Sequence, residues 1–236
     1  MFDWFLSKEK RIAKHQRRIT DRDAQAEDRE ASARWLADDG GPKGLRALLT
    51  RFDMNLTHQL NDKDEKEFVY ALLASKGPAL LKPLRVHLRK CKQFALPIRL
   101  LTEVEDDEAA ILFVYDLLQI ELDKEDLNNP NKKRNMLVWL TERRHDDAIA
   151  KATPFLDDFD EGVRHAAMEV VIAQGDTAGR GLLEARMVHP EEDSNRLRTR
   201  LAEVFAQRGW TVDDADAVAA VLPPGFRVKN DRIVRA

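Results

Sequence analysis

Cysteine is nearly missing from this chain: Cys91 stands alone among 236 residues. An internal disulfide framework is thereby excluded, and the usage fits a reducing compartment. Glycine (10) and proline (9) are too sparse for a collagen-like or low-complexity chain, so they act as punctuation between elements. No stretch approaches the roughly 18 consecutive apolar residues of a membrane span. The opening "MFDWFLSKEKRIAKHQRRI" places its apolar patch before its basic run, the reverse of a secretory signal, so a cytoplasmic protein is expected. Charge of one sign is also lacking: Lys and Arg (39) nearly balance Asp and Glu (42), and a net −3 exerts no global pull toward nucleic acid.

Chemistry-bearing patterns are equally scarce. The six histidines are scattered, with no pair at metal-ligand spacing, and no Gly-rich phosphate loop, G-x-S-x-G elbow or H-E-x-x-H is present. Cys91 falls on an apolar stripe, where a small buried hydrophobe is expected rather than a nucleophile. We therefore expect no catalytic residue, no metal and no cofactor.

What the sequence does have is helical periodicity. Leu45, Leu48, Leu49 and Phe52 recur at helical spacing, as do Leu81, Leu84, Leu88 and Cys91, and again Ile111, Leu112, Tyr115 and Leu118. Breakers recur between these runs at Gly40-Gly41-Pro42, Gly77-Pro78, Asn128-Asn129-Pro130, Gly175-Asp176, Gly209 and Pro223-Pro224-Gly225. The pattern predicts an all-α chain: a basic helix over about 2–19, then about ten helices in antiparallel pairs. At the end, Phe226-Arg227-Val228 and Arg232-Ile233-Val234 flank Lys229-Asn230-Asp231 and read as a small β-hairpin covering the last helix pair.

The stretch "PFLDDFDEGVRHAAMEVVIAQGD", residues 154–176, is used more than once. A shift of 33 residues lays Asp160 on Asp193, Met168 on Leu201, Val171 on Val204, Ile172 on Phe205, Ala173 on Ala206 and Gln174 on Gln207. In that register Leu197 stands where Arg164 does. This segment resembles the HEAT-repeat unit, a helical hairpin whose second helix begins near an Asp and carries Val-Arg and small residues. The matching positions are Asp160, Val163, Arg164, Ala166, Ala167, Gly175 and Asp176, with Pro154, Pro83 and Pro97 at the proline position of first helices. The resemblance implies an α-solenoid of about five HEAT-like pairs over 23–222, clearest at 145–209, between an N-terminal helix (1–22) and a hairpin tail (223–236). Asp160, Val163 and Arg164 are then stacking residues, because each hairpin buries its apolar face only against its neighbours.

Charge is segregated locally. Residues 76–99 hold seven Lys or Arg and no acid, and residues 100–131 hold ten acids and one lysine. Lys82, Arg85, Arg89 and Lys92 are spaced three, four and three, forming one stripe. It reads either as a solvated face paired with the acidic helix that follows or as a docking strip for an acidic partner. The other candidate surface is the N-terminal helix, where Phe2, Trp4 and Phe5 precede Lys8 and Arg11. Such a segment could lie on an anionic membrane, whereas Phe5, Ile12 and Ile19 at seven-residue spacing would pack it on the first repeat.

These readings lead to a non-enzymatic adaptor that binds one or more proteins. The overall likeness is to bacterial HEAT-repeat regulators of cell polarity. It implies a small Ras-like GTPase and its activating protein as partners, with GTP hydrolysis as the regulated step. The alternatives are a HEAT-like DNA glycosylase acting on alkylated bases, read from Trp139 with Lys132, Lys133, Arg134, Arg143 and Arg144, and a membrane-surface scaffold resting on residues 2–18. The acidic runs argue against nucleic acid, and a membrane contact would need the N-terminal helix.

Overall fold

Capping residues and breakers divide the chain into short helices. A computed structural model describes residues 7–39, 41–124, 130–175 and 177–236. It is 72% helical, with thirteen α-helices among the described residues and a single two-stranded hairpin near the C-terminus. The helices are α1 (Lys8–Ile19), α2 (Ala26–Asp39), α3 (Pro42–Leu49), α4 (Gln59–Ala74), α5 (Leu81–Leu88), α6 (Ala95–Val104) and α7 (Asp107–Asp123). There follow α8 (Pro130–Thr141), α9 (Ala148–Ala152), α10 (Glu161–Gln174), α11 (Arg180–Met187), α12 (Asn195–Arg208) and α13 (Ala215–Val221). The strands are β1 (Phe226–Lys229) and β2 (Arg232–Arg235). The fold is all-α. It has more helices than the periodicity predicts because α9 and α13 are too short to show a period. Proline-led 3₁₀ turns such as Gly77–Leu80 and Thr153–Asp157 also split runs that read as continuous.

The chain forms two compact units, Met1–Leu117 and Leu118–Ala236, with the boundary inside α7. In the first unit α1 packs on α2 and α3, α3 packs on α5, and α4 and α5 pack on α6. Leu45, Leu48, Leu49 and Phe52 are buried, and so are Leu84, Leu88 and Cys91. On α7 the predicted stripe is off by one position. Ile111, Tyr115 and Leu118 are buried, but Leu112 is 48% exposed while Val114 and Phe113 take the core. A cluster of buried ions lies under these helices. Arg51, 1% exposed, contacts Asp62 at 2.9 Å and Glu65 at 3.2 Å, and Arg29 reaches Glu65 at 2.7 Å. Burial disfavours the charge on Glu65, but hydrogen bonds from Arg29 and the nearby Arg51 hold its carboxyl below its ordinary value.

In the second unit α10 and α12 are bounded alike. The Asp160 side chain accepts from the Val163 amide at 3.0 Å and caps α10, whose C-terminus is Gly175 in the left-handed conformation (φ 74°). Ser194 accepts from the Leu197 amide at 3.1 Å and caps α12, which ends on Gly209 (φ 62°). The two helices have the same length, and cap to cap the offset is 34 residues, not 33. The predicted register is corrected accordingly. Val163 corresponds to Leu197, both fully buried, and Arg164 corresponds to Arg198, so the arginine position is kept. Counting from Asp193 misses this because Ser194 supplies the cap. Pro154 opens the 3₁₀ turn before α10, while Pro83 and Pro97 are the third residues of α5 and α6.

The β-hairpin turns on Asn230 and Asp231, both with positive φ, and pairs Lys229 with Arg232. Its Ile233 is 2% exposed, β2 packs on α12, and the Val212 amide donates to the Asp231 carbonyl at 2.8 Å.

Candidate functional site: an arginine-lined groove

On α10, Gly162, His165, Ala166, Glu169, Ile172 and Ala173 recur along a single helical face, with Ala166 and Ile172 buried and the others half-buried. That face forms the floor of a groove of about 620 Å³ within the second unit, walled by α8 (Arg134, Val138, Thr141) and α12 (Arg196, Arg200, Arg208). Four arginines line it against one carboxylate, Glu169. This excess of positive charge lies in a protein whose net charge is −3.

Each arginine is held differently. Arg200 makes a two-point contact with Glu169, at 2.6 and 3.0 Å. Exposed Arg196 lies 3.5 Å from Glu161. Arg208 donates to the Ile172 carbonyl at 2.7 Å and stacks over Trp210 at 4.7 Å. Arg134, exposed, donates to the Asn131 side chain at 2.7 Å. Guanidinium donors beyond these contacts can take carboxylate oxygens two at a time. His165 lies among them. Burial and the neighbouring Arg196 charge push its pKa below the ordinary imidazole value, although Glu169 stands 4.0 Å away. Val138, 51% exposed, adds an apolar surface on one wall.

Behind the groove, Arg164 is buried. Its guanidinium meets Glu192 at 2.9 Å and Asp193 at 3.3 Å, in the following hairpin, and donates to the carbonyls of Asp158 and Phe159. Glu192, with a fully buried side chain, also takes Arg186 at 2.8 Å and the Ser194 amide at 2.9 Å. Burial opposes its charge, but the hydrogen bonds from Arg164 and the Ser194 amide keep the carboxyl below its ordinary value. Asp160, Val163 and Arg164 thus cap α10, fill the core beneath it and tie it to the next hairpin.

The sequence-derived candidates elsewhere are placed as follows. Lys82, Arg85, Arg89 and Lys92 do not form one helical stripe, because α5 ends at Leu88 and Lys92 lies beyond it. Arg85 is paired with Glu105 and packs over the Phe113 ring at 4.9 Å, and Arg89 packs over the same ring at 5.0 Å. Lys82 is exposed, and the Lys92 amide donates to Asp53 at 2.8 Å. Arg85 therefore meets the acidic segment that follows it in sequence. Phe2, Trp4 and Phe5 lie outside the described residues. Lys8 is exposed, Arg11 lies 5.7 Å from the Trp35 ring, and α1 turns Ile12 and Ile19 into the core. Trp139 is 7% exposed under Arg143, while Lys132 and Lys133 are buried against Glu121 and Asp158.

The groove was not legible beforehand. Its arginines come from helices more than fifty residues apart in sequence, from Arg134 to Arg196, and only their packing makes them neighbours. Its one local signal is Arg196 and Arg200 at i, i+4 on α12. Among the described residues no helix is long and apolar enough to cross a membrane, and no group of three or more His, Cys, Asp or Glu side chains is placed to hold a metal. Comparison with family models, curated proteins and solved structures finds no match.

Proposed function

We propose that this protein is a non-enzymatic adaptor that binds an acidic segment of a partner protein in the groove between α8, α10 and α12. The observation that supports the reading is the set of four arginines facing one open concavity with a single lining carboxylate. Such a surface steers an acidic partner over a distance and then fixes it through paired guanidinium–carboxylate contacts. The DNA reading is less well supported. Lys132 and Lys133, which it needs as phosphate contacts, are occupied by buried carboxylates, and Trp139 is covered. A small Ras-like GTPase with its activating protein is the narrower partner we propose, on the sequence resemblance. Acceleration of GTP hydrolysis would be its readout.

The test is fluorescence anisotropy with a labelled oligo-glutamate peptide of about ten residues, at low and physiological salt. Wild type should bind and weaken with salt. Arg134→Glu with Arg196→Glu, both exposed, should lose binding by about tenfold or more without losing the fold. Charge reversal at the exposed Lys82 and Lys92 should leave it intact. Equal binding by the groove variant would sink the proposal, and tighter, salt-sensitive binding of duplex DNA would replace it with nucleic-acid recognition.

A further inference from the structure

The four arginines of the groove are not equally committed. Arg200 is held at two points by Glu169, and Arg196 lies 3.5 Å from Glu161. Arg134 and Arg208 have no carboxylate partner among the described residues. Each uses an N–H on a neutral oxygen, Asn131 Oδ1 for Arg134 and the Ile172 carbonyl for Arg208. A guanidinium carries five such donors, and both residues are exposed, so both keep donors open to a ligand.

These two arginines stand toward opposite ends of the groove. Arg134 lies over Gly162, in the first turn of α10: a Cβ there would be 3.3 Å from Arg134 Cδ and 3.5 Å from Nη1. Arg208 meets the carbonyl of Ile172, in the last turn of the same helix. At about 1.5 Å per residue, Gly162 and Ile172 are about 15 Å apart along the axis. Between them sits the Glu169–Arg200 pair, which offers no net charge. Of the large apolar residues lining the groove, Val138 is exposed and Ile172 is buried.

We infer that the groove reads spacing as well as charge. The inference rests on the acidic partner proposed above and narrows it to an extended segment with two carboxylates four residues apart and an uncharged residue midway. An extended chain advances about 3.3 Å per residue, so four residues cover about 13 Å and return the second side chain to the same face. The flexible arms of arginine and glutamate span the remainder. The midway residue points the same way, toward the Glu169–Arg200 pair, where a third acid would be repelled by Glu169. A helical occupant needs a row of apolar contacts at i, i+3, i+4 and i+7, which one exposed valine does not receive. Two carboxylates adjacent in sequence reach only one end of the groove.

The test is competition against the labelled oligo-glutamate on the full-length chain at low salt. The competitors are two capped pentapeptides of one composition, Glu-Ala-Leu-Ala-Glu and Glu-Glu-Leu-Ala-Ala, which attraction by net charge alone treats alike. The spaced peptide should displace the probe at a concentration about threefold to fivefold lower, the difference made by one exposed guanidinium–carboxylate contact. Arg134→Gln should abolish that preference with an unchanged thermal midpoint, since the residue is exposed. Arg208→Lys, which keeps the charge and loses the planar fork, should reduce it. Equal displacement by the two peptides, none by either, or a preference that survives both substitutions would overturn the spacing rule and leave the acidic-partner reading in place. An oligo-glutamate that does not bind would overturn both.

Discussion

Glu192 joins two buried arginines of the second unit through one carboxylate. Its side chain is fully buried and compensates two arginines that are themselves about nine-tenths buried or more, Arg164 and Arg186. Glu192→Gln keeps the shape and removes the charge. Arg164 would retain Asp193, and Arg186 would retain Asp157, but both of those acids are largely exposed and screened by water. Removing one partner of a buried pair costs about 3–5 kcal/mol, because the remaining charge stays buried and uncompensated. For a cooperative unit of this size that corresponds to a fall of roughly 10–20 °C in the melting temperature. The assay is calorimetric and circular-dichroism unfolding of wild type, Glu192→Gln, Arg164→Met and the double variant at pH 7. Arg164→Met should cost a comparable amount, and the double variant should lose about 1.5–3 kcal/mol less than the sum of the singles. A loss below about 1 kcal/mol for Glu192→Gln, or additive effects, would refute the reasoning, since measured exposed pairs contribute no more than that.

Further predictions concern the same unit. Gly179 lies so close to α10 that a Cβ there would run into Val171 Cγ1, so Gly179→Ala should destabilise by about 1–3 kcal/mol in a chemical melt. Asp160→Ala removes the cap of α10 and should cost about 1 kcal/mol, with Asp160→Asn nearly neutral in the same melt. His165 binds its proton less readily in the folded protein than in the unfolded chain, owing to burial and Arg196. The unfolded state therefore takes up more protons, and stability is lost as pH falls below the ordinary imidazole range of about 6.5. His165→Gln should flatten the stability curve between neutral pH and about pH 5, as read by melts across that range, and an unchanged slope would exclude His165 as its source.

Local patterns foretold much of this fold because they depend only on neighbours along the chain. The spacing of Leu45, Leu48 and Leu49 places three side chains on one side of α3, and Phe52 follows them into the core from the 3₁₀ turn Thr50–Asp53. Asp160 and Gly175 start and stop α10 through contacts within a few residues. Asn230-Asp231 makes the hairpin turn because those residues tolerate positive φ. The exposure of Leu112 was hidden for the complementary reason: on a helix with apolar residues around much of its circumference, periodicity does not say which face finds a neighbour. The likeness of the two stretches was visible in the sequence, but its offset of 34 was not. Similar side chains align almost as well at 33, whereas the cap geometry at Ser194 admits one register.

Function sits further from the chain's own pattern. The stripe of Lys82, Arg85, Arg89 and Lys92 was conspicuous because its charges recur at helical spacing within one short segment, yet folding commits Arg85 to Glu105 and the Phe113 face. The groove was inconspicuous because Arg134, Arg196 and Arg208 come from two helices with a third between them. The sequence alone determined that the chain is helical and where many of its helices begin and end, since these follow from short-range sterics and periodicity. Tertiary structure decided which charges cancel and which remain open to a partner, because that depends on distances across helices that no spacing along the chain encodes.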